Sequence, residues 1–142
     1  MDKLLKAIWF VSLLAVTAFL LYVYAGLYDG QQVMLLHAFS LDKEAFFFST
    51  LVFLLIYNFL FYTIQWRIRN RNSETENFIK GWLMGLGAAM NFFLFIILTF
   101  IQVRNGGENF DFTSLGYLIY VAIAVLVIWS LVLPVYLIKS KK

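Results

Sequence analysis

The chain has 142 residues, of which 63% are hydrophobic, 20% aromatic and only 13% charged, with a formal net charge of +3. That length suits one domain, but so few charged side chains could not cover a water-facing surface, so the composition predicts a bilayer as the solvent and argues against a soluble globular protein. Cysteine is absent, which removes disulfides, thiolate nucleophiles, iron–sulfur clusters and thiol zinc sites, and the single histidine, His37, rules out a bis-histidine haem held by one copy.

The first predicted element is the apolar run AIWFVSLLAVTAFLLYVYAGLY, residues 7–28. It reaches the ~20 residues that a helix rising about 1.5 Å per residue needs to cross ~30 Å of hydrocarbon. MDKLLK before it and the small pair Val23 and Ala25 imitate a cleaved leader. The run exceeds the usual core of about 7–15 residues, and the bulky Tyr24 and Leu27 surround the would-be cleavage point, so a retained transmembrane helix is expected.

Next comes YDGQQVMLLHAFSLDKEAFFF, residues 28–48. Its stretch from Val33 to Phe39 is too short to cross a membrane and too apolar to be simply solvated. It should lie along the interface, pair as a short strand, or contact another protein. His37, at its centre, is read as an interfacial side chain and marks the candidate contact of this loop. Ser40, with Asp42 and Glu44 behind it, could start the second helix. The layout, a histidine between apolar residues followed by DKEAFFF, resembles the first loop of bacterial membrane proteins of the sporulation-delay immunity type. The Leu-Pro pair and the glycine that mark that loop are missing, so no function is carried over.

The second apolar run, residues 45–66, contains Asn58 near its middle, and the third, residues 81–103, contains Asn91. A mid-span asparagine is unfavourable against lipid and normally hydrogen-bonds another helix. The two are therefore expected to form an interhelical pair, or alternatively a polar anchor for a buried ligand. Between these runs lies QWRIRNRNSETENFIKGW, where Ser73 and Glu76 have the spacing of a capping box, so the third helix should start near Glu74, before the bilayer. Within the third run Gly81, Gly85 and Ala89 recur every four residues, with Ala88 beside them. Such a stripe lets another helix approach closely and is the predicted packing seam. Sliding the first run over the third aligns Trp9 with Trp82, Ser12 with Gly85, Leu13 with Leu86, Ala15 with Ala88 and Phe19 with Phe92, which hints at a duplicated two-helix hairpin. RNGGEN then forms a turn, DFTS offers Asp111, Thr113 or Ser114 as a cap, and the last run covers residues 112–138.

Orientation follows from the cations beside these spans. With the N-terminus inside, one side receives Lys3, Lys6, Arg67, Arg69, Arg71, Lys80, Lys139, Lys141 and Lys142, and the other only Lys43 and Arg104. Trp9, Trp66 and Trp82 then fall at the inner interface and Tyr22, Tyr24, Tyr28 and Tyr117 toward the outer one, as amphipathic rings prefer, whereas Trp129 falls inside the last span. The expected architecture is thus an all-α integral membrane protein, a single domain over residues 1–142, with four antiparallel transmembrane helices and both termini cytoplasmic.

No Asp, Glu, Lys, Arg or His lies within the four spans. Ion-coupled transport and proton relays need ionisable groups at depth. Size and span count are similar to those of small multidrug-resistance transporters, but the membrane-embedded glutamate of their first helix has no counterpart. Enzymes resembling vitamin K epoxide reductase are excluded by the missing cysteines. No hydroxyl has a histidine or carboxylate in the same span, so triad chemistry has no support. Because the cations punctuate apolar runs, nucleic acid is not an expected partner. The sequence favours a non-enzymatic accessory or assembly subunit of the bacterial inner membrane, with no cofactor or metal, whose partners are the bilayer and other integral membrane subunits. The alternative is binding or transport of an apolar small molecule, a lipid or quinone, between helices near Asn58 and Asn91.

Overall fold

The computed structural model describes residues 2–36, 39–68, 73–106 and 112–141. It contains four long helices, α1 (Asp2–Gly26), α2 (Lys43–Arg67), α3 (Glu74–Asn105) and α4 (Phe112–Ser140), and two short strands, β1 (Gln32–Leu36) and β2 (Phe39–Asp42). Each helix is long and apolar enough to cross a membrane.

α1 stops at Gly26, two residues before the end of the apolar run, because the chain turns there to form the hairpin. Gln31 N donates to Tyr28 O at 3.0 Å across a turn in which Gly30 takes a φ of +75°, a left-handed value that glycine adopts without a side-chain clash. β1 then pairs antiparallel with β2, matching Gln32 with Asp42, Val33 with Leu41 and Met34 with Ser40, so of the three expectations for this loop the short strand is found. His37 lies outside the described residues, as do Arg69, Arg71 and Asp111.

Two expected helix starts change. Ser40 belongs to β2, and the residue preceding α2 is Asp42, whose carboxylate accepts from Gln32 Nε2 and makes no capping bond. Thr113 and Ser114 lie inside α4 rather than ahead of it, since the apolar helix already starts at Phe112. The start of α3 is as read from SETE: Ser73 is the cap, and its side chain accepts from Glu76 N at 3.2 Å.

Helix α3 is the centre of the assembly. Half of its apolar window is buried, against 11% for α1, 22% for α2 and 6% for α4. The aromatic contacts give the register: Tyr24 lies on Phe47 and Trp9 on Tyr62 between α1 and α2, Phe19 lies on Phe95 between α1 and α3, and Phe78 stacks on Tyr136 between α3 and α4. The main core, Val16, Leu20, Val23, Leu54, Tyr57 and Leu98, fills the space between α1, α2 and α3, and Leu27, Val33 and Phe46 extend it under the hairpin. Among the described residues, α4 packs against α3 alone.

Candidate functional site

At the level of Asn58 and Asn91 the three inner helices are joined by a closed set of hydrogen bonds. Asn58 Nδ2 donates to Asn91 Oδ1 at 2.9 Å and Asn91 Nδ2 to Asn58 Oδ1 at 3.1 Å, so the two amides face each other head to tail. Trp9 Nε1 donates to Asn58 Oδ1 at 2.8 Å, and Tyr57 OH donates to Asn91 Oδ1. Asn91 Nδ2 donates to Ser12 Oγ at 3.0 Å, while the Ser12 hydroxyl itself donates to Trp9 O at 2.7 Å. The last donor, Asn58 Nδ2, also serves Leu54 O at 2.8 Å within its own helix. Asn58 is 3% and Asn91 1% exposed, and among the described residues no buried side-chain nitrogen or oxygen lacks a partner. A low-dielectric interior penalises an unpaired amide far more than it rewards a paired one, so closure of the set holds three helices in one register. It also leaves no polar atom directed at a ligand.

At Gly85 the small-residue stripe of α3 meets a ring rather than a helix backbone. Gly81, Gly85 and Ala89 are buried and Ala88 is half-buried. The indole of Trp129 rests directly on Gly85, where any side-chain carbon would overlap it. Trp129 Nε1 donates to Trp82 O at 2.9 Å and Trp82 Nε1 to Trp129 O at 2.8 Å, a reciprocal pair that clamps α4 to α3. This gives Trp129 its reason to sit inside a span: its one polar atom is satisfied there without water. Gly87, which the spacing argument did not select, does the same for α1, since a side chain there would overlap the Trp9 ring. The aligned tryptophans of the suggested duplication thus hold different partners, an asparagine side chain for Trp9 and a backbone carbonyl for Trp82.

Outside the seams, a lateral groove of about 390 Å³ runs between α1 and α2, lined by Trp9, Phe10, Leu13, Leu55, Asn58, Phe59 and Tyr62. The outer loop is tied down at two points. Asn105, at the end of α3, accepts from Met34 N at 2.9 Å and donates to Met34 O at 3.2 Å, pairing with β1 as another strand would. Lys43 is 11% exposed and donates to Leu27 O at 2.8 Å and to Asp29 at 3.1 Å, with its ammonium 4.5 Å from the Tyr24 ring centre. One of the two cations on the expected outer side is therefore a latch between α1 and α2. Neither Asn105 nor Lys43 stands out in the sequence, since both sit at ordinary helix-end positions.

No group of three or more histidine, cysteine, aspartate or glutamate side chains suited to a metal occurs among the described residues. Four helices able to cross a bilayer mark the chain as a multi-pass membrane protein. No protein-family model, curated protein or solved structure matches it.

Proposed function

We propose that the protein is a non-enzymatic accessory or assembly subunit of a larger membrane complex, with its four helices antiparallel and both termini in the cytoplasm of a bacterial cell, in the inner membrane. The observation that carries this reading is the bareness of α4. Its window is only 6% buried, and Tyr120, Val127 and Ile138, on the stripe opposite the α3 seam, are 73%, 52% and 65% exposed. The spans hold no Asp, Glu, Lys, Arg or His, and no buried side-chain polar atom among the described residues is unpaired, which supports a role for the outer surface. Because Gly85 is occupied by the chain's own Trp129, the partner surface belongs to α4 and not to the small-residue stripe.

Photo-crosslinkers at Val127 and, for comparison, at Phe59 on α2 test the proposal in native membranes, followed by purification in mild detergent. Discrete heteromeric adducts from Val127 support it; lipid adducts alone from both positions would sink it. Reporter fusions after Arg71 and after Lys142 should signal cytoplasm and one after Gly107 the exterior, and an exterior signal at Arg71 would reverse the topology. The α1–α2 groove supports a second reading, retention of an apolar small molecule such as a lipid or quinone beside Trp9 and Tyr62. An isolated protein that carries a stoichiometric quinone through purification would favour that reading.

A further inference from the structure

A second groove, of about 380 Å³, lies between α3 and α4, bordering the proposed partner stripe at Leu131, and is lined by Phe78, Ile128, Leu131, Val132, Val135, Tyr136 and Lys139. Its two ends differ chemically. Ile128 adjoins the Trp129 seam at the deep end, whereas Lys139 stands exposed in the last turn of α4. The stacked rings of Phe78 and Tyr136, with centroids 3.8 Å apart and planes 13° from parallel, form a stiff wall beside that mouth. Lys139 forms no ion pair among the described residues.

We infer that this groove is a binding site for one anionic phospholipid, with an acyl chain along Ile128, Leu131, Val132 and Val135 and the phosphate on Lys139. The dimensions fit. From Lys139 to Ile128 the helix advances about 16 Å, long enough for an acyl chain to lie along the groove. Its walls are apolar along that length, and its one cation stands at the end, as the charge of a lipid does. A protein helix placed here would bury that ammonium against apolar surface, a cost that a phosphate removes. A free phosphate ion would leave the aliphatic length of the groove unfilled.

Native mass spectrometry of the full chain, loaded in detergent with equal phosphatidylglycerol and phosphatidylcholine, reads the site directly. Wild type should retain phosphatidylglycerol preferentially. Lys139→Gln should lower that retention about five-fold, the contribution expected of one interfacial lysine, whereas Lys141→Gln, outside the groove lining, should stay within about two-fold. Val135→Trp, which fills the groove without touching the charge, should lower retention of both lipids. Equal retention of the two lipids by wild type, equal effects of Lys139→Gln and Lys141→Gln, or full retention by Val135→Trp would each overturn the assignment. Loss of phosphatidylglycerol on adding inorganic phosphate alone would do so too.

Discussion

Replacing Gly85 by alanine adds a single carbon where the Trp129 indole already lies, with Nε1 only 2.9 Å from the position the new atom would take. The indole must move, and it carries one of the two hydrogen bonds of the clamp, Trp129 Nε1 to Trp82 O. Losing that bond costs about 1 kcal/mol, and forcing an extra carbon into a packed seam costs about 1–3 kcal/mol. Alanine returns about 1 kcal/mol through its better helix propensity. The balance is a loss of about 1–3 kcal/mol, read as a lower unfolding midpoint in mild detergent by tryptophan fluorescence. Gly116, also inside a helix, has nothing within 4 Å of the same added carbon, so Gly116→Ala should raise stability by about 0.5–1 kcal/mol. The stronger comparison uses Trp129→Leu as background. With the indole gone, Gly85→Ala should change sign and become stabilising, as a coupling between touching residues requires. If Gly85→Ala stabilises the wild-type chain as Gly116→Ala does, or costs the same in both backgrounds, the indole seat is not what makes glycine necessary.

At the polar set, Asn91→Leu should lower stability by about 1–2 kcal/mol in the same detergent assay, because it leaves Tyr57 OH and one Asn58 proton without their partner. The double variant Asn58→Leu with Asn91→Leu should recover little of that loss, since it removes the unpaired Asn58 proton but takes the acceptor from the Trp9 indole. At the outer latch, Lys43→Met should cost about 1 kcal/mol, through the lost bond to the Leu27 carbonyl and the Tyr24 contact. Asp29→Asn should change stability by less than about 0.5 kcal/mol, because the Asp29 side chain is fully exposed and its ion pair is screened.

The parts of the fold legible in the sequence were those set by hydrophobic length and by local capping. Four runs long enough to cross a bilayer correspond to four helices, and Ser73 with Glu76 located the start of α3 to the residue, because a cap depends on its neighbours alone. What the runs could not reveal was which face of each helix packs. In a bilayer the outer faces are as apolar as the inner ones, so the amphipathic signal that orients a helix in a soluble protein is lost. Polar and small residues supply the remaining information, and only in part. Asn58 and Asn91 stood out by depth, but their companions Trp9, Ser12 and Tyr57 are unexceptional residue types. Gly85 was visible through its spacing while its occupant, Trp129, looked misplaced. Gly87 was hidden because it falls off the four-residue repeat, and the hairpin was only one of three options for an apolar loop.

The polar set also has an order written into it. Spans made first are handed to the bilayer before later ones exist, and a lone amide at mid-depth is then exposed to hydrocarbon. Asn58 belongs to the second span, yet two of its partners, the Trp9 indole and the Leu54 carbonyl, come from segments already synthesised. In the early hairpin Asn58 is thus held at two points, while its second amide proton and the Tyr57 hydroxyl wait for Asn91. Asn91 arrives last and finds Ser12, Tyr57 and Asn58 waiting on two helices, so only a third span in register completes the set.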